Sequence, residues 1–407
     1  MADYKIGPFM NALATNWKDG WEKMKHFDRW STRGYMGLEP GSAPGYADNV
    51  RYFVPRDLQL SYQYDLYDCA LTESVLDALD FDLDPPPVWK CIKGGTDLII
   101  SRAIDKISTP VQRGQRVTAI APVGDAKIPH AISLVIKNER GTIQKEYDHV
   151  VSTVPLSCLG QIDTSHFKFP WNLQTAIREL HYDGSTKVAI RFSKRWWEDP
   201  KVVAPQIGGV SSTDRPTRTV VYPSYGIHTQ SASMIVSYTW AQDAFRAGSL
   251  AQGRDSVAER ALIENILKDL TDMHQIKDET GQTDYTLLPR LMQDYHAWNW
   301  YGNEFSMGAF ALFGPGQFEN LYPQVTMPHF GRLHFAGEAT SVHHAWVVGA
   351  LNSAYRSLVE IFEHEDRRDL IELLKVKGSP FINAGTFEVD QGQVNLQVRL
   401  GQAMYAN

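Results

Sequence analysis

Apolar and polar positions change rhythm several times along the chain. Up to about residue 85 the spacing is near-helical: "NALATNWKDGWEKMKHFDRWSTRGYM" mixes apolar and charged residues, and Asp28 to Ser31 offer caps for the helix that follows. In "LTESVLDALDFD" a cap-like Thr72 precedes Val75, Leu76 and Leu79, one apolar stripe, and "DPPPVW" then stops any helix. From Trp89 the rhythm shortens. "VWKCIKGGTDLIISRAIDKI" reads as a Gly-Gly turn leading into an apolar helix, and "QRVTAIAPV", "AISLVIKN" and "KEYDHVVSTVP" follow as three strands. Ile132, Leu134 and Ile136 alternate in the second of these, so a small antiparallel sheet is predicted to feed a core strand, "HVVSTVP". "STKVAIRFSKRWW" and "SASMIVSYTW" are further strands, and "RDSVAERALIENILKDLTDM" is an amphipathic helix. Near Pro328 the short apolar strand "RLHFAG" runs into a helix in which Ala350, Leu351, Ala354 and Leu358 share one side. A charged helix, "EHEDRRDLIELLKVKG", comes next, and the tail alternates Val394, Leu396, Val398 and Leu400, as an edge strand or a loose end.

Composition narrows the class. At 407 residues there is room for two or three domains, and 43% hydrophobic against 21% charged residues reads as globular. A net charge of −7 gives no case for nucleic acid or an anionic membrane, and no apolar run is long enough to span a bilayer. The start, "MADYKIGPFMNALATNW", lacks the basic and apolar segments of a secretory signal. The three cysteines, Cys69, Cys91 and Cys158, form no CxxC pair, and no Asn-x-Ser/Thr sequon occurs. A cytoplasmic location fits these features, with neither a disulfide framework nor a metal site.

The candidate chemistry gathers in a few segments. In "RLHFAGEATSVHHAWVVGALNSAY", Gly337 lets a backbone approach closely, Glu338 offers acceptors for sugar hydroxyls, and a helix start presents free N–H groups. The bland reading is a strand–turn–helix with Glu338 as a cap. His343–His344 reads as one buried and one surface histidine, since adjacent residues do not face the same way. Lys187, between Thr186 and Val188, is costly to bury, so it reads either as an edge lysine in solvent or as a tuned lysine holding water over a reactive ring. "HAWNWYGNEFSMGAFALFGPGQF" carries aromatics suited to a core or to an apolar pocket. No GxSxG, GxxxxGK[ST] or GxGxxG is present.

In their order, "WKCIKGGTDLI", "VTAIAP" with "YDHVVSTVPLSCL", "HYDGSTKVAIRFSKRWWED", "WNWYGNEFSMGAFALFGPGQF" and "RLHFAGEATSVHHAW" resemble the flavin-dependent amine oxidase family, of the L-amino-acid oxidase type, from about Trp21 to Ile361. The resemblance implies a mixed α/β chain with the FAD-binding amine-oxidase fold and a substrate domain on a mixed sheet. It implies a helical region over 1–87, FAD-domain parts over 88–185 and 328–375, a substrate domain over 186–327 and a tail over 376–407. Lys187 falls where the family keeps the lysine whose water meets the flavin. Tyr238 resembles the tyrosine that holds the substrate carboxylate, Phe310 falls in the side-chain pocket, and Trp300 and Trp346 are aromatic walls. Ala345 stands where many relatives have glycine and would offer its carbonyl to the substrate amine. Val117 resembles the adenine contact, while Gly337, Glu338 and Thr340, with Trp346 and Val347 at the helix start, resemble the flavin contacts.

The activity implied is oxidation of the Cα–N bond of L-amino acids, large apolar ones from the aromatic pocket, by FAD and molecular oxygen. The products are a 2-oxo acid, ammonia and hydrogen peroxide. The family's N-terminal βαβ unit with its GxGxxG fingerprint is not found here, nor is a carboxylate-binding arginine assignable. The expectation is therefore a fold incomplete at the N-terminus: a truncated product, a chain completed by a second chain or a homodimer, or a non-catalytic pseudo-oxidase acting as a binding or regulatory protein. A flavin amino-acid monooxygenase is a sibling reading of the same motifs.

Overall fold

Lysine in the middle of a sheet is the first thing the fold has to explain. In the computed structural model, which describes residues 2–36, 67–81, 90–227, 229 and 232–377, the chain divides into two units. One comprises Met1–His26, Val75–Glu179 and Phe318–Asn407; the other comprises Phe27–Ser74 and Leu180–Gln317. The "DPPPVW" break and the tail from 378 lie outside the described residues.

In the first unit, β1 (Arg116–Gly124), β2 (Pro129–Asn138) and β3 (Gly141–Tyr147) form an antiparallel three-stranded sheet. The predicted third strand is in fact two: it breaks at Asp148–His149, and β4 (Val150–Ser152) pairs elsewhere. In the second unit, β5 (Tyr182–Asp183) runs into β6 (Ser185–Phe192). β7 (Val210–Ser212), β8 (Thr219–Val221), β9 (Ser233–Trp240) and β10 (Met292–Asn299) join β6 in a five-stranded sheet ordered β10-β6-β9-β8-β7, every ladder of it antiparallel. β11 (Phe310–Ala311) pairs with β5. Back in the first unit, β12 (Leu333–Phe335) lies parallel to β4, with Leu333 opposite Val150 and Phe335 opposite Ser152.

Strand alternation sends Val188, Ile190 and Phe192 of β6 into one core with Val220, Met234 and Val236. The helix Val257–Met273, capped by Ser256 Oγ accepting from Glu259 N at 3.1 Å, adds Leu262, Ile263, Ile266 and Leu270 to the same core. Trp196 and Trp197 close it, edge-on to each other at 5.8 Å. The opposite face of β6 therefore belongs to Lys187, Ala189 and Arg191.

The predicted helices near the N-terminus are present as Ala2–Thr15, Trp17–Lys25, Thr32–Met36 and Leu71–Phe81. Ser31 supplies the cap, its Oγ accepting from Gly34 N at 3.0 Å. Thr72 does not cap; its hydroxyl donates to Asp28 Oδ1 at 2.6 Å. The Gly-Gly turn opens the helix Asp97–Ile104, which has no buried residue.

The helix Val347–His364 inverts the expected amphipathicity. Its buried side is small and polar: Gly349, Asn352, Ser353, Arg356 and Ser357, with Val359. The apolar positions Val347, Leu351, Ala354 and Leu358 face outward, three of them between 38% and 62% exposed (Leu351, Leu358 and Val347). A helix normally buries its apolar stripe; here hydrogen bonding rather than apolar contact seats the inner face.

Candidate active site

The residues with assignable chemistry fall in both units. In the second unit, β6 is flanked by β10 and β9, so Lys187 is not the edge lysine of the bland reading. Cross-strand pairing puts Trp298 opposite it on one side and Tyr238 on the other. Directly opposed residues share a face. Lys187 Nζ lies 4.4 Å from the centroid of the Tyr238 ring, a cation–π distance. Burial lowers the lysine pKa from its ordinary value, because the charged form loses hydration. Burial raises that of Tyr238, so the phenol stays protonated and can donate.

Aromatic contacts extend this pair. Tyr238 meets Trp240 edge-on at 5.1 Å, and Trp240 meets Phe310 at 6.0 Å. Trp300, its N–H donated to Ser185 O at 3.0 Å, meets Trp298 at 5.7 Å. Lys187, Tyr238, Trp300 and Phe310 are thus brought into one neighbourhood. Trp240, which the sequence did not single out, and Trp298, read there only as one of the aromatics suited to a core or a pocket, belong to it too; placing them takes strand register, which needs the partner strand. The open cleft lined by Pro205, Ser212 and His274 contains none of these residues.

In the first unit, β12 ends in a turn. Gly337 has φ +132°, a region that disfavours side chains, and a Cβ there would meet only Thr153 O at 3.7 Å. Gly337 N donates to Ser353 Oγ at 2.8 Å, and Thr340 Oγ1 donates back to Gly337 O at 3.0 Å. Glu338 Oε2 accepts from Ala345 N at 2.9 Å, so this carboxylate fastens the approach to the helix, close to the bland reading of a cap. Trp346 packs edge-on against Phe81 at 5.4 Å. No side chain caps the helix that starts at Val347, which leaves its N-terminal N–H groups for an electron-rich partner. Val117 lies in β1 opposite Ile136.

Both histidines of the pair are buried, which corrects the expectation of one inside and one outside. Each has its own reason: His343 Nδ1 is 2.5 Å from Asp80 Oδ1, and the His344 ring stacks on Phe318 at 5.6 Å. Adjacent residues can both be buried where an irregular turn, here with Ala345 at φ +65°, redirects the chain. That φ also explains why glycine suits position 345. Ala345→Gly is expected to stabilise the protein by up to about 1 kcal/mol by relieving a left-handed alanine. A denaturant midpoint that falls on substitution would contradict this.

Comparison with known proteins places the chain in a family. A family model described as flavin containing amine oxidoreductase matches residues 4–361. A protein of Dictyostelium discoideum named as a bifunctional amine oxidase is 40% identical over 374 residues, 90% of this chain and 33% of that protein. L-amino-acid oxidase 4 of Hebeloma cylindrosporum is 35% identical over 404 residues, 94% of this chain and 62% of the other. An L-amino-acid oxidase of Siganus canaliculatus is 29% identical, covering 72% of this chain and 50% of its own length. The chain therefore spans between a third and about three fifths of these relatives. The turn residues suit the family's cofactor, FAD: an open glycine, hydroxyl and carboxylate groups, and an uncapped helix start. With the family's sequence model covering most of its length, the chain belongs to the flavin-containing amine oxidoreductases.

Proposed function

We propose that the chain takes part in FAD-dependent oxidative deamination of L-amino acids, large apolar ones in particular. The overall change is amino acid plus oxygen plus water giving 2-oxo acid, ammonia and hydrogen peroxide. The observation that carries the reading is Lys187: a half-buried lysine on an inner strand, its Nζ 4.4 Å from the Tyr238 ring, with Trp298 opposite it on the neighbouring strand. When bound, the flavin would supply the redox chemistry. Gly337, Glu338, Thr340, Trp346 and Val347 would hold its ring and ribityl part, and Val117 its adenine end.

The second unit would do the rest. Tyr238 would donate its phenol proton to the substrate carboxylate, orienting Cα. Phe310, Trp300 and Trp240 would exclude water and select an apolar side chain. Lys187, with its lowered pKa, would hold a water or accept a proton at Nζ.

The test is peroxide release by the flavin-loaded protein. Activity is expected with phenylalanine, leucine or methionine. Tyr238→Phe is expected to raise KM for these by about tenfold, the loss of one hydrogen bond to a charged group, and to leave amines lacking a carboxylate unaffected. Activity confined to small or charged amino acids, or an equal effect on both substrate types, would count against the reading.

A further inference from the structure

We propose that His149, His364 and Glu365 bind a divalent transition-metal ion of the zinc type. Each offers one ligand atom, and the three atoms lie within 4.8 Å of one another. Imidazole nitrogen and carboxylate oxygen are the ligands such ions take, with about 3.3 Å between ligand atoms when the bonds are ~2 Å and tetrahedral. Small side-chain adjustments would close the set, and the exposure of His364 and Glu365 leaves room for water as the fourth ligand. No spacing in the sequence announces the site. It exists because His149 sits just before β4, β4 pairs with β12, and the helix Val347–His364 ends beside them.

The hydrogen bonds around His149 leave one contact incomplete. Glu365 Oε1 is 2.8 Å from His149 Nε2, His149 Nδ1 is 3.2 Å from His334 Nε2, and His334 Nδ1 is 2.8 Å from Glu360 Oε2. That makes three contacts in a row, with a carboxylate at each end. Ionised carboxylates only accept, and two neutral imidazoles carry one N–H each. Two hydrogens cannot fill three contacts. If Glu360 accepts from His334 and His334 from His149, the His149 Nε2 lone pair faces a carboxylate oxygen. One further proton or a metal ion would complete that contact.

The surroundings are set for the ion. His334 is fully buried, and the Glu360 side chain is 9% exposed. Together they fix the His149 ring as carboxylates and second imidazoles fix metal-binding histidines elsewhere. The His364 ring stands edge-on to His149 at 5.2 Å. It fits because position 331 is glycine: a Cβ there would come within 2.5 Å of His364 Cε1. Arg332 opposes a dication, its Nη1 lying 3.9 Å from the same Glu365 oxygen. It also donates to Pro129 O and Asp148 O, which anchors the backbone before His149. Binding should therefore be weaker than at a closed four-ligand zinc site.

The experiment is a Co²⁺ titration of the purified chain at neutral pH, read as difference absorption so that any flavin cancels. One equivalent is expected to give the intense visible bands of four-coordinate cobalt, and Zn²⁺ is expected to displace them. His364→Ala and Glu365→Gln, both at exposed positions, should each weaken binding at least about tenfold. Their metal-free melting should match the parent. Absence of the bands would show that a proton fills the gap, and would overturn the proposal. A cobalt titration midpoint unchanged in either variant would overturn it equally.

Discussion

Lys187→Met is expected to slow both flavin reduction by substrate and flavin reoxidation by oxygen by about 10²-fold or more, the usual contribution of a positioned proton-handling group. Substrate affinity should change little, because the carboxylate partner is assigned to Tyr238. The parent should also show a pH limb that the variant lacks. Burial lowers the lysine pKa, so the neutral amine forms at lower pH than for an exposed lysine. Steps that need the neutral form would accelerate as pH rises through that shifted value. Loss of folding would not confuse the result. Methionine is close in volume and leaves no charge to desolvate, so the variant should be at least as stable as the parent. Stopped-flow rates and pH limbs identical in parent and variant would remove Lys187 from the chemistry.

Arg356→Met is expected to give the largest loss of stability, about 3–5 kcal/mol, the cost of breaking a buried ion pair from one side. Arg356 is 5% exposed on the inner face of the helix Val347–His364. Nη1 donates to Thr326 O at 2.7 Å and Glu360 Oε1 at 2.6 Å. Nη2 donates to Phe335 O at 2.8 Å and Thr340 Oγ1 at 3.1 Å. One planar guanidinium thus ties helix, strand β12 and the Gly337–Thr340 turn together, which an ammonium cannot copy. Without it Glu360 keeps a buried charge, and the turn loses its anchor. Flavin retention should fall with stability. Arg356→Met with Glu360→Gln should recover part of the loss, since the orphaned anion is gone. Chemical denaturation of both variants decides this: a change below about 1 kcal/mol for the single variant would refute the assigned role.

These residues also show what the chain discloses before it is folded. The strand in "STKVAIRFSKRWW" and the amphipathic helix in "RDSVAERALIENILKDLTDM" were readable, because period is local. Lys187 was conspicuous for the same reason, a charge among apolar neighbours. Its partner Trp298 was not, since register between β6 and β10 depends on segments about a hundred positions apart. That "HVVSTVP" leaves the small sheet as a core strand was readable; the break at Asp148–His149 was not, because both halves satisfy the same propensity and only the partners differ. Arg356 escaped because a lone arginine in a helix reads as surface. The histidine pair misled for a related reason: the rule about adjacent residues assumes regular backbone, which Ala345 does not have.

The outward stripe of Val347, Leu351, Ala354 and Leu358 has a colloidal consequence. Two molecules carrying it repel at long range through their net charge of −7, and attract once the stripes touch. In ~0.15 M salt the repulsion reaches only about 8 Å. The osmotic second virial coefficient should therefore turn negative as salt is raised, sooner with sulfate than with chloride, since excluded salts strengthen apolar association. Cooling should move it back, because the apolar attraction weakens in the cold.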